Sequence, residues 1–260
     1  MGRLGDLFDL ATAVARVVDE NDVKYPAAAL AYYAFVSFIP VLLLVFALVG
    51  ERFAGRVHAV TPRFLTLEAQ VLVYEAMTEA SGRTGAALLA VGVIGWSGAN
   101  VVVTVLTVVE RVEDVPDRPL RDQMRDAVAV LGSLVLAISS IVLVSAVSAQ
   151  LPFWVGTLLG FLVLPVVLTG AFLPLLYVPS RVLDSPIGAL PGAVTVGAGW
   201  TIIHYSVQFY ILNAGRYAIY GALSGVIVIL TSLYLAAVVL LTGVIVNATL
   251  AGDVGRPSVA

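Results

Sequence analysis

Long apolar runs, each carrying a few polar residues along one side, set the pattern of this chain. Six runs reach the ~20 residues that cross a bilayer core as a helix: about 27–50, 85–109, 128–149, 153–178, 187–210 and 221–250. The apolar residues are continuous rather than alternating in short pieces, which excludes spanning by strands. Backbone left open in lipid is too costly, so the runs predict helices. The expected fold is all-α, a polytopic bundle of six transmembrane helices in a single membrane domain, 1–260.

Two further helices are expected outside the bilayer core. In 3–20, Leu4, Leu7, Phe8, Ala11, Val14 and Val18 recur on one helical face, with Arg3, Asp6, Asp9, Arg16, Asp19 and Glu20 mostly opposite. Acids outnumber bases there, so the helix should pack on the bundle or lie at the interface by its apolar face, not by attraction to anionic lipid. In the first loop, Thr61-Pro62 reads as a helix start and Ser81-Gly82 as a stop, giving an external helix over 61–81. Glu68, Glu75 and Glu79 share one of its faces, either as a solvated stripe or as a vestibule that draws cations. Segment 110–126 mixes four arginines with six acids and reads as a loop whose prolines end the second helix.

Four of the apolar runs carry a polar line. Tyr33 and Ser37 are four apart in the first, with Tyr32 beside them and Pro40 three residues on. Ser97, Asn100, Thr104 and Thr107 run at helical spacing in the second, and Thr201, His204 and Gln208 in the fifth, next to Trp200 and Tyr205. Ser224, Thr231 and Thr242 fall on one side of the sixth. Polar groups in lipid are expensive, so these lines should face the bundle interior. Pro40 frees the carbonyl near Val36 and should bend the first helix.

Two readings follow: the lines glue helices together, or they wall a cavity for a solute. The candidate cavity-lining residues are Tyr32, Tyr33, Ser37, Pro40, Ser97, Asn100, Thr201, His204, Gln208, Ser224 and Thr231. Small residues mark expected close approaches of helices at Gly188/Gly192, at Gly221/Gly225 and along Gly92, Gly95 and Gly98.

Composition narrows the class. The chain is 60% hydrophobic and 12% charged, against ~45–50% and ~25% for a soluble domain, which makes it an integral membrane protein. It has no cysteine, so disulfides and thiol nucleophiles are excluded. A net charge of −3 argues against nucleic acid as a partner. His58 and His204 are the only histidines and are far apart, there is no phosphate loop, and no carboxylate pair lies within an apolar run. No metal, cofactor or catalytic site is therefore expected. The expected partners are membrane lipid and, in the cavity reading, a small molecule or ion. The sequon at Asn247 lies at the end of a run and reads as accidental.

Residues 1–24 do not read as a signal peptide. With the N-terminus inside, the inner segments hold nine Arg and Lys and the outer ones five. Both termini are thus expected to be cytoplasmic, in a multi-pass protein of the plasma membrane.

Several stretches together resemble the YihY/virulence factor BrkB family: AAALAYYAFVSFIPVLLLVFALVG (27–50), GWSGAN (95–100), ALPGA (189–193) with Trp200, and IYGALSGVIVILTSLYLAAVVLLTG (219–243). The resemblance covers nearly the whole chain. It implies a six-helix inner-membrane protein without an established activity. Many members carry an acid after the fifth-helix tryptophan, where this chain has Thr201, and Gly-Ala-Glu late in the sixth, where it has Gly243-Val244-Ile245. An older ribonuclease label attached to the family finds no support in the residues here. The function expected is a permease or exporter for a small solute, ion or lipid; the alternative is a non-transporting membrane scaffold or envelope-maintenance protein.

Overall fold

The computed structural model describes residues 12–49, 80–114, 119–213 and 221–252. Apart from a leading helical segment, 12–20, the described chain forms six long helices: α1 (Lys24–Val49), α2 (Ala80–Glu113), α3 (Leu120–Ser148), α4 (Phe153–Tyr177), α5 (Leu190–Leu212) and α6 (Gly221–Ala251). A 3₁₀ turn, Pro186–Ala189, leads into α5. No strand occurs among the described residues. Among the described residues, five stretches are long and apolar enough to cross a membrane: Ala87–Glu113, Leu120–Ser148, Phe153–Tyr177, Pro186–Leu212 and Ser224–Ala251. At ~1.5 Å rise per residue, the shortest of these runs ~37 Å against a hydrocarbon core of ~30 Å.

The sequence placed α4, α5 and α6 within a few residues of their observed bounds, but three expectations need correction. Segment 110–126 is mostly helical, because α2 continues to Glu113 and α3 already begins at Leu120. After α2, Asp114 has φ 51°, and Pro119 is the extended N-cap of α3. A charged first or last turn is compatible with a helix that projects past the hydrocarbon, so charge marked the membrane boundary and not the helix end. Ser81-Gly82 does not stop a helix, since both residues lie inside α2. Along the Gly92, Gly95 and Gly98 line, no close crossing is present among the described residues at Gly92 or Gly95, where a Cβ would meet no described atom within 4 Å. The expected helix over 61–81 otherwise lies outside the described residues, as do its glutamates and residues 3–11.

The chain divides into two compact units. The first comprises Met1–Ala28, Val102–Ser206 and Leu235–Ala260, and the second Ala29–Val101 with Val207–Tyr234.

In the first unit, the leading segment buries Val14 and Val17 and ends in a left-handed cap. Asp22 has φ 49°, its N–H donates to Asp19 O at 3.0 Å, and Val23 N–H donates to Val18 O at 3.3 Å. That pair of bonds is a Schellman motif, which satisfies the last carbonyls of the helix and re-aims the chain into α1. A left-handed residue with a Cβ is strained by ~1–2 kcal/mol. Asp22→Gly is therefore expected to raise the melting temperature by roughly 1–4 °C, read by thermal unfolding in detergent; a lowered value would contradict the cap.

α3 and α4 pack along each other as a hairpin joined by 149–152. Gly156 lets α4 approach the Ser148 carbonyl, and Gly160 makes room for the Tyr205 hydroxyl of α5. These two glycines, four apart, form a close-approach pair that the sequence pattern did not single out. The core is completed by Leu164, Leu168, Phe172 and Leu175 of α4, Val196 of α5, and Leu241 and Ile245 of α6, all essentially without solvent exposure. Phe172 meets Trp200 edge-on at 4.6 Å between ring centroids, and the Trp200 indole N–H donates to Ala236 O at 3.0 Å. α5 and α6 touch backbone to backbone at Gly192 and Gly243. Beside that contact the Gly192 N–H donates to Asn247 Oδ1 at 2.7 Å, and Asn247 Nδ2 donates to Ala189 O at 3.2 Å. Asn247 is 3% exposed, so its sequon is buried structure.

Candidate functional site

In the second unit, α1 and α2 meet through aromatic rings. Tyr33 lies edge-on to Trp96, with centroids 5.5 Å apart and planes at 81°. Tyr32 sits edge-on to Tyr33 at 5.5 Å but is itself exposed. Ser37 donates to its own helix at Tyr33 O, 2.8 Å, and Asn100 Nδ2 donates to Trp96 O, also 2.8 Å. Pro40 stays within α1, half-buried. Between Trp96 and Asn100 stands Ser97, 1% exposed. Its Oγ is buried and makes no hydrogen bond among the described residues, not even to the carbonyl one turn back. In the same unit the Tyr210 and Ser224 hydroxyls share a 2.6 Å hydrogen bond between α5 and α6. Gln208 and Thr231 are exposed.

The remaining two candidates lie in the first unit. Thr201 is 2% exposed and donates to Gly197 O of its own helix at 2.7 Å. His204 is half-buried, with Nε2 3.5 Å from Ser145 Oγ on α3, at the outer edge of hydrogen-bonding range, and it lies edge-on to Tyr205 at 5.2 Å. The structure thus brings Tyr33 to Trp96, Tyr210 to Ser224 and His204 to Ser145. It turns the Ser37 and Thr201 hydroxyls back onto their own helices.

The most charged site of the first unit was not expected from the sequence. Asp126, on the second turn of α3, is fully buried. Arg125 Nη2 lies 3.5 Å and Arg181 Nη2 3.9 Å from its carboxylate. Arg181 Nη2 also donates to Asp122 at 3.1 Å, and the Arg181 backbone N–H donates to Glu113 at 2.8 Å. Arg125 Nη2 donates to Val178 O at 3.0 Å. Two guanidiniums and three carboxylates therefore tie the end of α2, the start of α3 and the segment after α4 to one another. The signal was present in the sequence: Asp126, Val130, Ser133 and Ala137, the buried residues of α3, follow one helical face. Extending the run of 128–149 backward by two residues would have put Asp126 on it.

Among the described residues, no group of three or more His, Asp or Glu side chains is placed to hold a metal ion. The chemistry on offer is hydrogen bonding, aromatic packing and guanidinium–carboxylate pairing, all on a membrane-spanning scaffold.

No curated protein and no solved structure matches the chain. The chain carries several helices long and apolar enough to cross a membrane, a family model described as virulence factor BrkB matches residues 14–258, and the chain belongs to that family.

Proposed function

We propose that this protein is a non-catalytic permease of the plasma membrane that moves a small solute, an ion or a lipid. In this reading α1 is the sixth crossing helix, both termini are cytoplasmic, and the partners are membrane lipid and the carried species rather than nucleic acid. The 26 residues of α1 run ~39 Å as a helix, enough to cross the hydrocarbon core. The excess of arginine in the inner segments supports the orientation.

The observation that carries the proposal is Ser97. Buried hydroxyls in membrane helices usually bond their own backbone, as Ser37 and Thr201 do here. A buried hydroxyl that makes no such bond requires an explanation, and in this reading its partner is a polar guest, whether water, ion or solute. It lies one residue from Trp96 and three from Asn100, on the line of polar residues that α2 carries through the bilayer.

A second reading, a scaffold without transport, draws on the same hydroxyls. Those of Ser37, Thr107, Thr201, Ser232 and Thr242 are satisfied within their own helices, as packing alone would arrange them.

Proteoliposomes separate the two. The permease reading expects flux above empty vesicles for at least one of potassium, chloride, carboxyfluorescein or a fluorescent phospholipid. It also expects loss of that flux on Asn100→Leu or His204→Phe, with near-normal yield of folded protein. Flux equal to empty vesicles for every probe would leave the scaffold reading.

A further inference from the structure

Where α3 begins and α4 ends, a cavity of about 510 Å³ opens beside the charged cluster. We infer that it binds the phosphate of an anionic phospholipid, whose acyl chains lie along the outer face of α3. The inference does not rest on the permease reading.

The lining supplies the head-group chemistry. It includes Arg125, Arg181, Tyr177 and Ser180, and it includes no carboxylate. Among the described residues, the guanidiniums reach their protein partners through Nη2 alone: Arg125 to Val178 O and Asp126, Arg181 to Asp122 and Asp126. An arginine has five N–H donors in a fixed fork, so Nε and Nη1 of each are left for a ligand. The carboxylates hold the two forks in place. Asp126 is wholly buried and Glu113 nearly so, and neither lines the cavity. Planar guanidiniums bind phosphate oxygens in pairs. Ser180 adds a second, independent sign: its Oγ is buried and makes no hydrogen bond among the described residues.

The tails have a matching surface. Val128 both lines the cavity and stands exposed. It belongs to a row on α3 with Leu120, Met124, Leu131 and Val135, all exposed and all apolar. In a candidate span of 29 residues, ~43 Å long, the first turns lie at head-group level and the rest of that row faces hydrocarbon. One ligand that carries an anion and acyl chains satisfies both surfaces, and basic pockets between membrane helices take such lipids.

The test is thermal unfolding of the purified full chain in detergent, with added phosphatidylglycerol, phosphatidylcholine or inorganic phosphate. Phosphatidylglycerol near 100 times its dissociation constant should raise the melting temperature by about 5–10 °C, while phosphatidylcholine and phosphate alone should leave it nearly unchanged. Arg125→Gln keeps a donor for Val178 O and should remove most of the phosphatidylglycerol shift. Ser180→Ala, a milder change, should weaken lipid affinity several-fold. If Arg125→Gln fails to fold, the Ser180 variant and the lipid comparison on the wild type decide alone. Equal shifts from the two lipids, an unchanged shift in either variant, or an equal shift from phosphate without a lipid would each overturn the inference.

Discussion

Gly192→Leu is expected to abolish recovery of folded protein. At this point α5 and α6 are in backbone contact, and even a single Cβ at Gly192 would run into the Gly243 carbonyl and the Asn247 amide. The Asn247 amide ends a side chain, but the Gly243 carbonyl is backbone and cannot swing aside, so relief requires the helices to part. Parting them also breaks the bonds from Gly192 N–H to Asn247 and from Asn247 to Ala189 O. The Gly192 N–H lies in the first turn of α5, where a helix has no acceptor of its own for it. Overpacking and one or two orphaned polar groups together cost about 3–6 kcal/mol, much of a typical total stability of ~5–15 kcal/mol. Asn247→Leu removes the bonds without adding bulk at the crossing, and should fold with a lowered melting temperature. Fluorescence-detected size exclusion before and after heating reads both. A Gly192→Leu protein that elutes and melts like wild type would contradict the crossing.

Asp126→Ala is expected to have the second large effect. It leaves Arg125 and Arg181 without the buried carboxylate between them, and Arg181 also anchors the segment after α4 to α2 through Glu113. Breaking a fully buried ion pair costs ~3–5 kcal/mol, but Arg125 and Arg181 are 56% and 32% exposed, so water screens the guanidiniums left behind and the expected cost is ~1–3 kcal/mol. For a chain of this size that corresponds to a fall of roughly 2–12 °C in melting temperature. Arg181→Ala should do the same, and the double variant should be less damaging than the sum, with a coupling of ~0.5–3 kcal/mol. Strict additivity would mean that the two residues do not share a cluster.

The contrast between these sites shows what the sequence could tell. The bounds of α4 were legible nearly to the residue, 153–178 against Phe153–Tyr177, because lipid demands an unbroken apolar run and prolines and polar residues mark its ends. The family was legible too, through residues such as those at 95–100 and 219–243 that recur as short motifs. The Asp126 cluster was not legible, because a run that mixes arginines with acids and prolines has the composition of a loop. A helix that overshoots the hydrocarbon carries charge on its buried face, and only the tertiary contacts show which face that is. The same limit applies to the small residues. Gly92, Gly95 and Gly192 look alike in sequence, yet among the described residues only Gly192 has a helix against it; the spacing records that close approach is permitted, and the partner decides where it happens. Among the polar lines, spacing placed Ser97 with Asn100 but gave no hint that one would bond its own helix while the other stayed unsatisfied.

That unsatisfied hydroxyl supplies the most direct test of the functional account. The measurement is a melting curve and a proteoliposome flux assay on the same preparation of Ser97→Ala. If Ser97 exists to meet a polar guest, its hydroxyl is a cost in the empty protein, about 1–3 kcal/mol for a buried group left without a partner. Removing it should then leave the melting temperature unchanged or raise it, while flux falls. A lowered melting temperature with flux intact would show that the hydroxyl serves packing, and would contradict the permease reading.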